Sequence, residues 1–405
     1  MKLIYQIFIL GYTFAIRMAS IFNLKAKQWL VGREKIFDKL HSEINQTDTI
    51  VWFHCASLGE FEQAKPVIEG YRLKYAEHKI LITFFSPSGY ELRKDYKGAD
   101  YVFYLPIDTA FNSKRFIEIV QPIKAFFVKY EFWYFYLHTL AAHQIPTYLI
   151  SGVFRKNQLF FKWYGTWYRK ILACFTHFFV QNESSKELLI EHGYNHVTVS
   201  GDTRFDRVFD NMLHPTELPV IKAFKNNQPI LIGGSSWPTE EKIMAQYISN
   251  SQTDVKLIIA PHDVSEKHVE QIETLFKDHD CIRYSVADEQ NVTLKKVLII
   301  NHIGILAHTY QYTDVAFIGG GFTGALHNIL EPCSYGNMVL FGPHHFKFHE
   351  AQDLINDGGA VVIANATELS KVMAPTNLNL SKIKDQNRSF IEHHKGATQL
   401  ILDQL

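Results

Sequence analysis

One pattern restricts this chain more than any other: short runs rich in β-branched and aromatic residues, separated by helix-length stretches, in two successive series. The first series occupies 49–53, 79–84, 101–105, 125–128, 146–150, 177–180 and 197–200. Between its members, 62–76 and 112–120 read as helices, and 86–94 as a turn with a short helix. The second series occupies 229–233, 255–260, 281–285, 296–300, 315–318, 338–341 and 360–363. Near-continuous apolar runs linked by helical crossovers make a parallel sheet covered by helices on both faces. The prediction is therefore an α/β protein with two doubly wound parallel-sheet domains, at 36–207 and 230–379. The stretch 208–229, with Pro215, Pro219 and Pro229, reads as a linker, and 380–405 as a helical segment with a return to the first domain open to it. Two domains also suit 405 residues, too many for one ordinary core. Ligands of such sheets sit outside the carboxyl ends of the strands, and two such domains facing each other make an interdomain cleft. Fold alone does not establish function.

Charge narrows the partners. The 41 basic and 41 acidic residues cancel, so no global field recruits nucleic acid, and an anionic partner must be met by a local patch. Cys55, Cys174, Cys281 and Cys333 are scattered without a CxxC pair, which argues against a zinc site or a disulfide framework and for a reducing compartment.

The N-terminal segment 1–35 stands apart. Residues 3–16 are almost wholly apolar, Arg17 interrupts, and 18–22 resume. Spanning a bilayer takes about 20 apolar residues, so the run is marginal. No small-residue cleavage site follows, and Lys25, Lys27, Arg33 and Lys35 come next, as expected where the downstream side stays cytoplasmic. A buried helix capping the first domain is one reading. The thin polar face and the basic residues favour a membrane-inserted or interfacial helix.

Several strand-end stretches carry chemistry. Gly319, Gly320 and Gly321 end one run, and a helix opening near His327 and Asn328 would aim its N-terminal amides at the same place, where a phosphate is the natural guest. Glu331, one turn on, suits a pair of ribose hydroxyls. The plain alternative is a glycine turn needed for packing, with Glu331 solvated. After the first strand, Ser57 and Gly59 lead into a helix that begins at Glu60. That carboxylate is placed to take a proton from an attacking hydroxyl, or simply to cap a helix. Ser235 and Ser236, behind another glycine pair, read as a phosphate clasp or as a helix cap. Pro261 and His262 end a further strand, beside a base or phosphate, with Asp263 as a capping residue. Arg204, between the domains, clamps an anion or forms a salt bridge. Glu131, Arg155 and Lys156 meet a polar acceptor or form a solvated rim.

Taken in order, SLGE, TFFSPSGYE, YEFW, GDTRFD and GGGFTGALHNILEP…GNMVLFGP, continuing through His344, His345 and Phe346, resemble the 3-deoxy-D-manno-octulosonic acid (Kdo) transferases of lipopolysaccharide biosynthesis. The resemblance covers nearly the whole chain. It implies the two-domain GT-B glycosyltransferase fold and an inverting transfer of Kdo from CMP-Kdo to a lipid A precursor of the lipid IVA type. It also implies the cytoplasmic face of the inner membrane, with its phospholipid surface as a partner, and neither metal nor cofactor. Matched position by position, Glu60 is the general base, with Ser57, Gly59, Glu131, Arg155, Lys156 and Arg204 as acceptor or phosphate contacts. Ser235, Ser236, Pro261, His262, Gly320, Gly321, His327, Asn328 and Glu331 form the donor site. This chain departs from the family at Pro261, Tyr130, Tyr134, Phe135, 151–153 and Ile305. The alternative is a GT-B enzyme of a UDP-sugar, either a transferase or a nucleotide-sugar 2-epimerase.

Overall fold

The computed structural model describes residues 1–251, 254–374 and 379–405. They form two compact units: Met1–Arg207 with Lys395–Leu405, and Val208–His394.

The first unit is built on strands β1 (Ile50–Cys55), β2 (Lys79–Phe84), β3 (Tyr101–Tyr104), β4 (Lys124–Val128), β5 (Thr147–Gly152), β6 (His177–Val180) and β7 (Val197–Val199). The second has β8 (Ile230–Ser236), β9 (Lys256–Pro261), β10 (Cys281–Arg283), β11 (Val297–Ile299), β12 (Val315–Ile318), β13 (Met338–Phe341) and β14 (Ala360–Val362). Every expected run is a strand, and both doubly wound sheets are present. The sheet orders are β3-β2-β1-β4-β5-β6-β7 and β10-β11-β9-β8-β12-β13-β14, with parallel pairing throughout.

Period-two geometry explains the apolar runs. Trp52, Leu81 and Phe127 enter one core layer of the first unit, while Val51, Phe53, Ile80, Ile82 and Phe126 enter the layer on the other face. The second layer is completed by the chain terminus: Ile401 and Leu402 pack with Val67, Ile68 and Tyr71 of the helix Leu58–Lys74. Asp206 caps that terminal helix, Ala397–Asp403, by accepting the Thr398 N–H at 2.7 Å. The rest of 380–405, the helix Leu380–His394, belongs to the second unit. Residues 208–229 are mostly helical, in Arg204–Leu213 and Pro219–Lys225, and lie in the second unit.

The N-terminal segment folds as helices Lys2–Ala19 and Leu24–Val31. The first docks along a narrow stripe: Ile9 is buried, Tyr5 meets Tyr134 and Phe135, and Tyr12 meets Trp29 and Phe85. Its other faces leave Leu3, Ile7, Phe8, Leu10 and Phe14 each more than half exposed, from 54% to 70%. No helix among the described residues is long and apolar enough to cross a membrane. Arg33, expected among the surface cations, is instead a pin. Its guanidinium lies 4.0 Å from the Trp29 ring centre and donates to the carbonyls of Trp29, Phe85 and Leu105 at 2.8–2.9 Å. Burial pushes its pKa down to about 9.

Candidate active site

Each sheet has one place where neighbouring strands carry their connections to opposite sides: β1 beside β4 in the first unit, β8 beside β12 in the second. In open α/β sheets the carboxyl edge at such a place is the usual ligand position. The loops leaving these four strands hold most of the residues singled out in the sequence.

After β1, Ser57 is the N-cap of the helix Leu58–Lys74, and Glu60 is its third residue. The Ser57 N–H donates to Glu60 Oε2 at 3.0 Å, and the Ser57 hydroxyl donates to the same oxygen. This reciprocal capping box holds the carboxylate at the positive end of the helix. Both donors fall on Oε2, so Oε1 has no hydrogen-bond partner among the described residues. Gly59 is exposed, and a Cβ there would meet only Ser57 Oγ, at 3.8 Å.

Beneath this loop runs a buried polar chain. The Trp52 indole donates to Thr83 Oγ1 at 2.8 Å, and Thr83 Oγ1 lies 2.9 Å from His54 Nδ1. His54 Nε2 in turn lies 3.2 Å from Glu131 Oε2 and 2.9 Å from the Trp133 indole nitrogen. Trp133 can only donate, and Glu131 Oε2, at 2.6 Å, takes its N–H. Glu131, expected at an acceptor, is thus 9% exposed and held by two internal partners. Arg155 and Lys156 are exposed on the loop after β5, the strand that pairs with β4.

Arg204, expected as an anion clamp or a salt bridge, is in a salt bridge, and the partner is its near neighbour. It reaches Asp202 Oδ2 through Nε at 2.9 Å and Nη2 at 2.6 Å, while its backbone N–H donates to Oδ1 at 3.0 Å. Burial acts to raise the Asp202 carboxyl, but the charge and hydrogen bonds of Arg204 outweigh it and hold the group below its ordinary value.

In the second unit the glycine run serves packing first. A Cβ on Gly319 would lie 2.0 Å from the Ser235 carbonyl oxygen, and Gly320 adopts φ +87° with Ala325 O in the way of any side chain. The Gly320 amide, expected to face a phosphate, donates instead to Glu240 Oε1 at 3.0 Å. Ser236, expected in a phosphate clasp, is buried and donates to Glu241 Oε1 at 3.1 Å. Burial raises the pKa of both carboxyls; for Glu241, His268 at 3.1 Å works in the opposite direction. Ser235 is partly exposed, in the left-handed region at φ +50°, with no hydrogen-bonded side-chain partner among the described residues.

The helix expected to open near His327 starts later, as Leu330–Tyr335. Asn328 organises its start: Oδ1 accepts the Leu330 N–H at 3.1 Å, and Nδ2 donates to Glu331 Oε1 at 3.1 Å. His327 joins an aromatic stack that the sequence did not reveal. Trp237, just past β8, lies 4.7 Å from His262 at an interplanar angle of 17°, and His262 lies 4.6 Å from His327. The Trp237 indole donates to His327 Nε2 at 3.1 Å, so the neutral ring carries its proton on Nδ1. Burial, then the nearby His262, push the His327 pKa down to about 4. The available signal was Trp237 standing between Ser236 and Pro238 after a glycine pair. The buried acids Glu240 and Glu241 gave none, because paired glutamates at a helix start usually face water.

The chain contains one Asp-x-Asp triplet, Asp278-His279-Asp280. Both aspartates are exposed, at the amino end of β10, away from the carboxyl edge. No cluster of three or more potential metal ligands occurs among the described residues.

Residues 32–207 match the family model described as 3-deoxy-D-manno-octulosonic-acid transferase (kdotransferase). A 3-deoxy-D-manno-octulosonic acid transferase of Rickettsia felis is 25% identical over 385 residues, covering 90% of this chain and 80% of the relative. Among solved structures, UDP-GlcNAc 2-epimerase from Neisseria meningitidis, bound to UDP-GlcNAc, superposes with a TM-score of 0.60 at 14% identity, over 88% of this chain and 99% of its own. A glycosyltransferase from Rickettsia africae gives 0.58 at 14% identity, over 88% and 97%. These two likenesses concern the fold, and with the two sheets they establish the GT-B architecture.

Proposed function

We propose, from the premise that residues 32–207 are a domain of the Kdo transferase family, that this chain is a glycosyltransferase of lipopolysaccharide biosynthesis that moves Kdo from CMP-Kdo to a lipid A precursor of the lipid IVA type. The observation that carries the reading is the family match itself, over the unit that holds Glu60 at the helix start after β1.

The reaction is a single displacement that inverts the anomeric carbon. Glu60 takes the proton of an acceptor hydroxyl through Oε1, while the Ser57 N–H holds Oε2. The acceptor oxygen then bonds to the anomeric carbon as CMP departs from the other face with the bonding electrons. Charge on the leaving phosphate is met by donors that have no side-chain partner among the described residues, the Ser235 hydroxyl and the His327 Nδ1–H, in place of the Gly320 amide. Glu331, oriented by Asn328, receives the ribose hydroxyls. A nucleoside monophosphate carries less charge than a diphosphate, so the mechanism invokes no metal or other cofactor. The exposed apolar faces of the helix Lys2–Ala19 support attachment to the cytoplasmic face of the inner membrane.

The test is incubation of purified protein with lipid A precursor and CMP-Kdo generated in situ, with the product read by mass spectrometry. Addition of Kdo to the acceptor is the expected result. Interconversion of a UDP-sugar without any acceptor, and no Kdo product, would replace this reading with that of a 2-epimerase.

A further inference from the structure

We propose that the segment 155–170 of the first unit is a second membrane contact, which sets Trp163 and Tyr164 into the headgroup region of an anionic bilayer beside the N-terminal helix. The inference rests on the membrane-surface part of the proposed function and not on the sugar transferred.

The two aromatic side chains are held outward. Trp163 is 89% exposed and Tyr164 55% exposed, with ring centres 5.4 Å apart in an edge-to-face pair. The backbone that carries them is pinned. Arg169 donates through Nη1 to the carbonyls of Phe160 and Lys162 at 3.0 and 3.2 Å, and through Nη2 to Thr166 Oγ1 at 2.8 Å. A Cβ on Gly165 would lie 2.0 Å from the Leu159 carbonyl oxygen, so glycine is what allows the loop to close on itself. Phe160, the neighbour that points inward, is buried. A loop held this firmly with an indole in water suits a surface that receives the indole, and Trp and Tyr are the residues favoured at the bilayer interface.

Charge selects the occupant. From Phe132 to Asn182 the chain has no acidic residue, while Arg155, Lys156, Lys162, Arg169 and Lys170 fall within that stretch. The first 33 residues also contain no acid, and Lys2, Arg17, Lys25 and Lys27 are exposed there. The two stretches share one side of the unit. Tyr5 lies 6.1 Å from Trp167, and Trp167 stacks on Tyr134 at 4.8 Å. A second copy of this face would set cations against cations. An anionic lipid surface complements both the charge and the aromatic pair.

The experiment uses the full chain and vesicles of phosphatidylglycerol with phosphatidylethanolamine, against vesicles of phosphatidylcholine, scored by cosedimentation without donor or acceptor. The double variant Trp163→Ser/Tyr164→Ser is expected to bind the anionic vesicles about tenfold more weakly at an unchanged melting temperature. Lys162→Gln is expected to lose about fivefold on anionic vesicles and nothing on neutral ones. In brominated-lipid vesicles, the conservative variant Trp163→Phe should show less fluorescence quenching than the parent protein. Unchanged partition of the double variant, or quenching that Trp163→Phe leaves intact, overturns the proposal. So does a parent protein that self-associates in solution through these two side chains. A chain that binds vesicles through Trp163 but makes no Kdo product leaves the inference standing and removes the transferase reading alone.

Discussion

Tyr5 donates its phenol proton to Asp108 Oδ2 at 2.6 Å, joining the N-terminal helix to the loop after β3. The same carboxylate accepts the N–H groups of Phe135 at 3.1 Å and Tyr136 at 3.0 Å, and so caps the helix Tyr134–Ala142. One buried acid thus ties the N-terminal helix to the element that carries Trp133 and Glu131 at its start. Burial pushes the Asp108 pKa up to about 6, and the three hydrogen bonds work against that rise.

Tyr5→Phe is therefore expected to lower stability by about 1.5–3 kcal/mol near neutral pH, the usual contribution of a hydrogen bond to a charged group. The sign with pH follows from linkage. A carboxyl raised from 3.8 to about 6 contributes stability below the lower value, and loses it as pH rises through the upper one. Removing the Tyr5 donor raises that pKa again and extends the loss to higher pH. Urea unfolding of both proteins between pH 4 and 8 checks this, and parallel curves would refute the coupling.

Glu60→Gln separates chemistry from capping. Glutamine still reaches the Ser57 N–H, so the capping box and the melting temperature should be nearly preserved. Turnover should fall roughly 10²–10⁴-fold, the range expected for loss of a general base. Turnover within a few fold of the parent would leave Glu60 as a helix cap only.

Gly59→Ala tests whether open space at the helix start is kept for substrate. No packing demands glycine there, since an added Cβ meets only Ser57 Oγ at 3.8 Å. The helix should gain about 0.5–1 kcal/mol. If an acceptor passes over this turn, its KM rises while the protein becomes more stable. A KM that stays put would show that the space is idle.

His327 gives the opposite pH signature to Asp108. Its pKa lies near 4 in the fold, below the ordinary 6.5, so its stabilising contribution is complete above 6.5 and is lost as pH falls toward 4. His327→Gln should flatten that part of the stability profile. Trp237→Phe, which removes the proton donor to Nε2, should raise the histidine pKa in an NMR titration. An unmoved titration would mean that stacking alone sets it.

How far the sequence is legible differs from residue to residue. Lys79–Phe84, His177–Val180, Val315–Ile318 and Met338–Phe341 appear as strands with the expected ends, because a continuously apolar run between turn signals has only one way to be covered on both faces. The Ser57–Glu60 helix start is legible for a similar reason, since capping chemistry is local. Glycine loops are harder. Gly320 reads the same in sequence whether its amide faces a phosphate or Glu240, and Ser236 whether it clasps an anion or bonds Glu241.

From its sequence alone this chain is two parallel α/β sheets with chemistry at the strand ends, and its motifs place it beside the Kdo transferases. Period-two burial, capping and turn formation are short-range, so neighbours along the chain settle them. Which polar groups remain uncommitted was decided only by the tertiary structure. That choice depends on partners brought together from distant strands, as when Gly320 meets Glu240, Trp237 meets His327 and Tyr5 meets Asp108. A hydrogen-bond donor serves a ligand only where the fold has left it without a partner of its own.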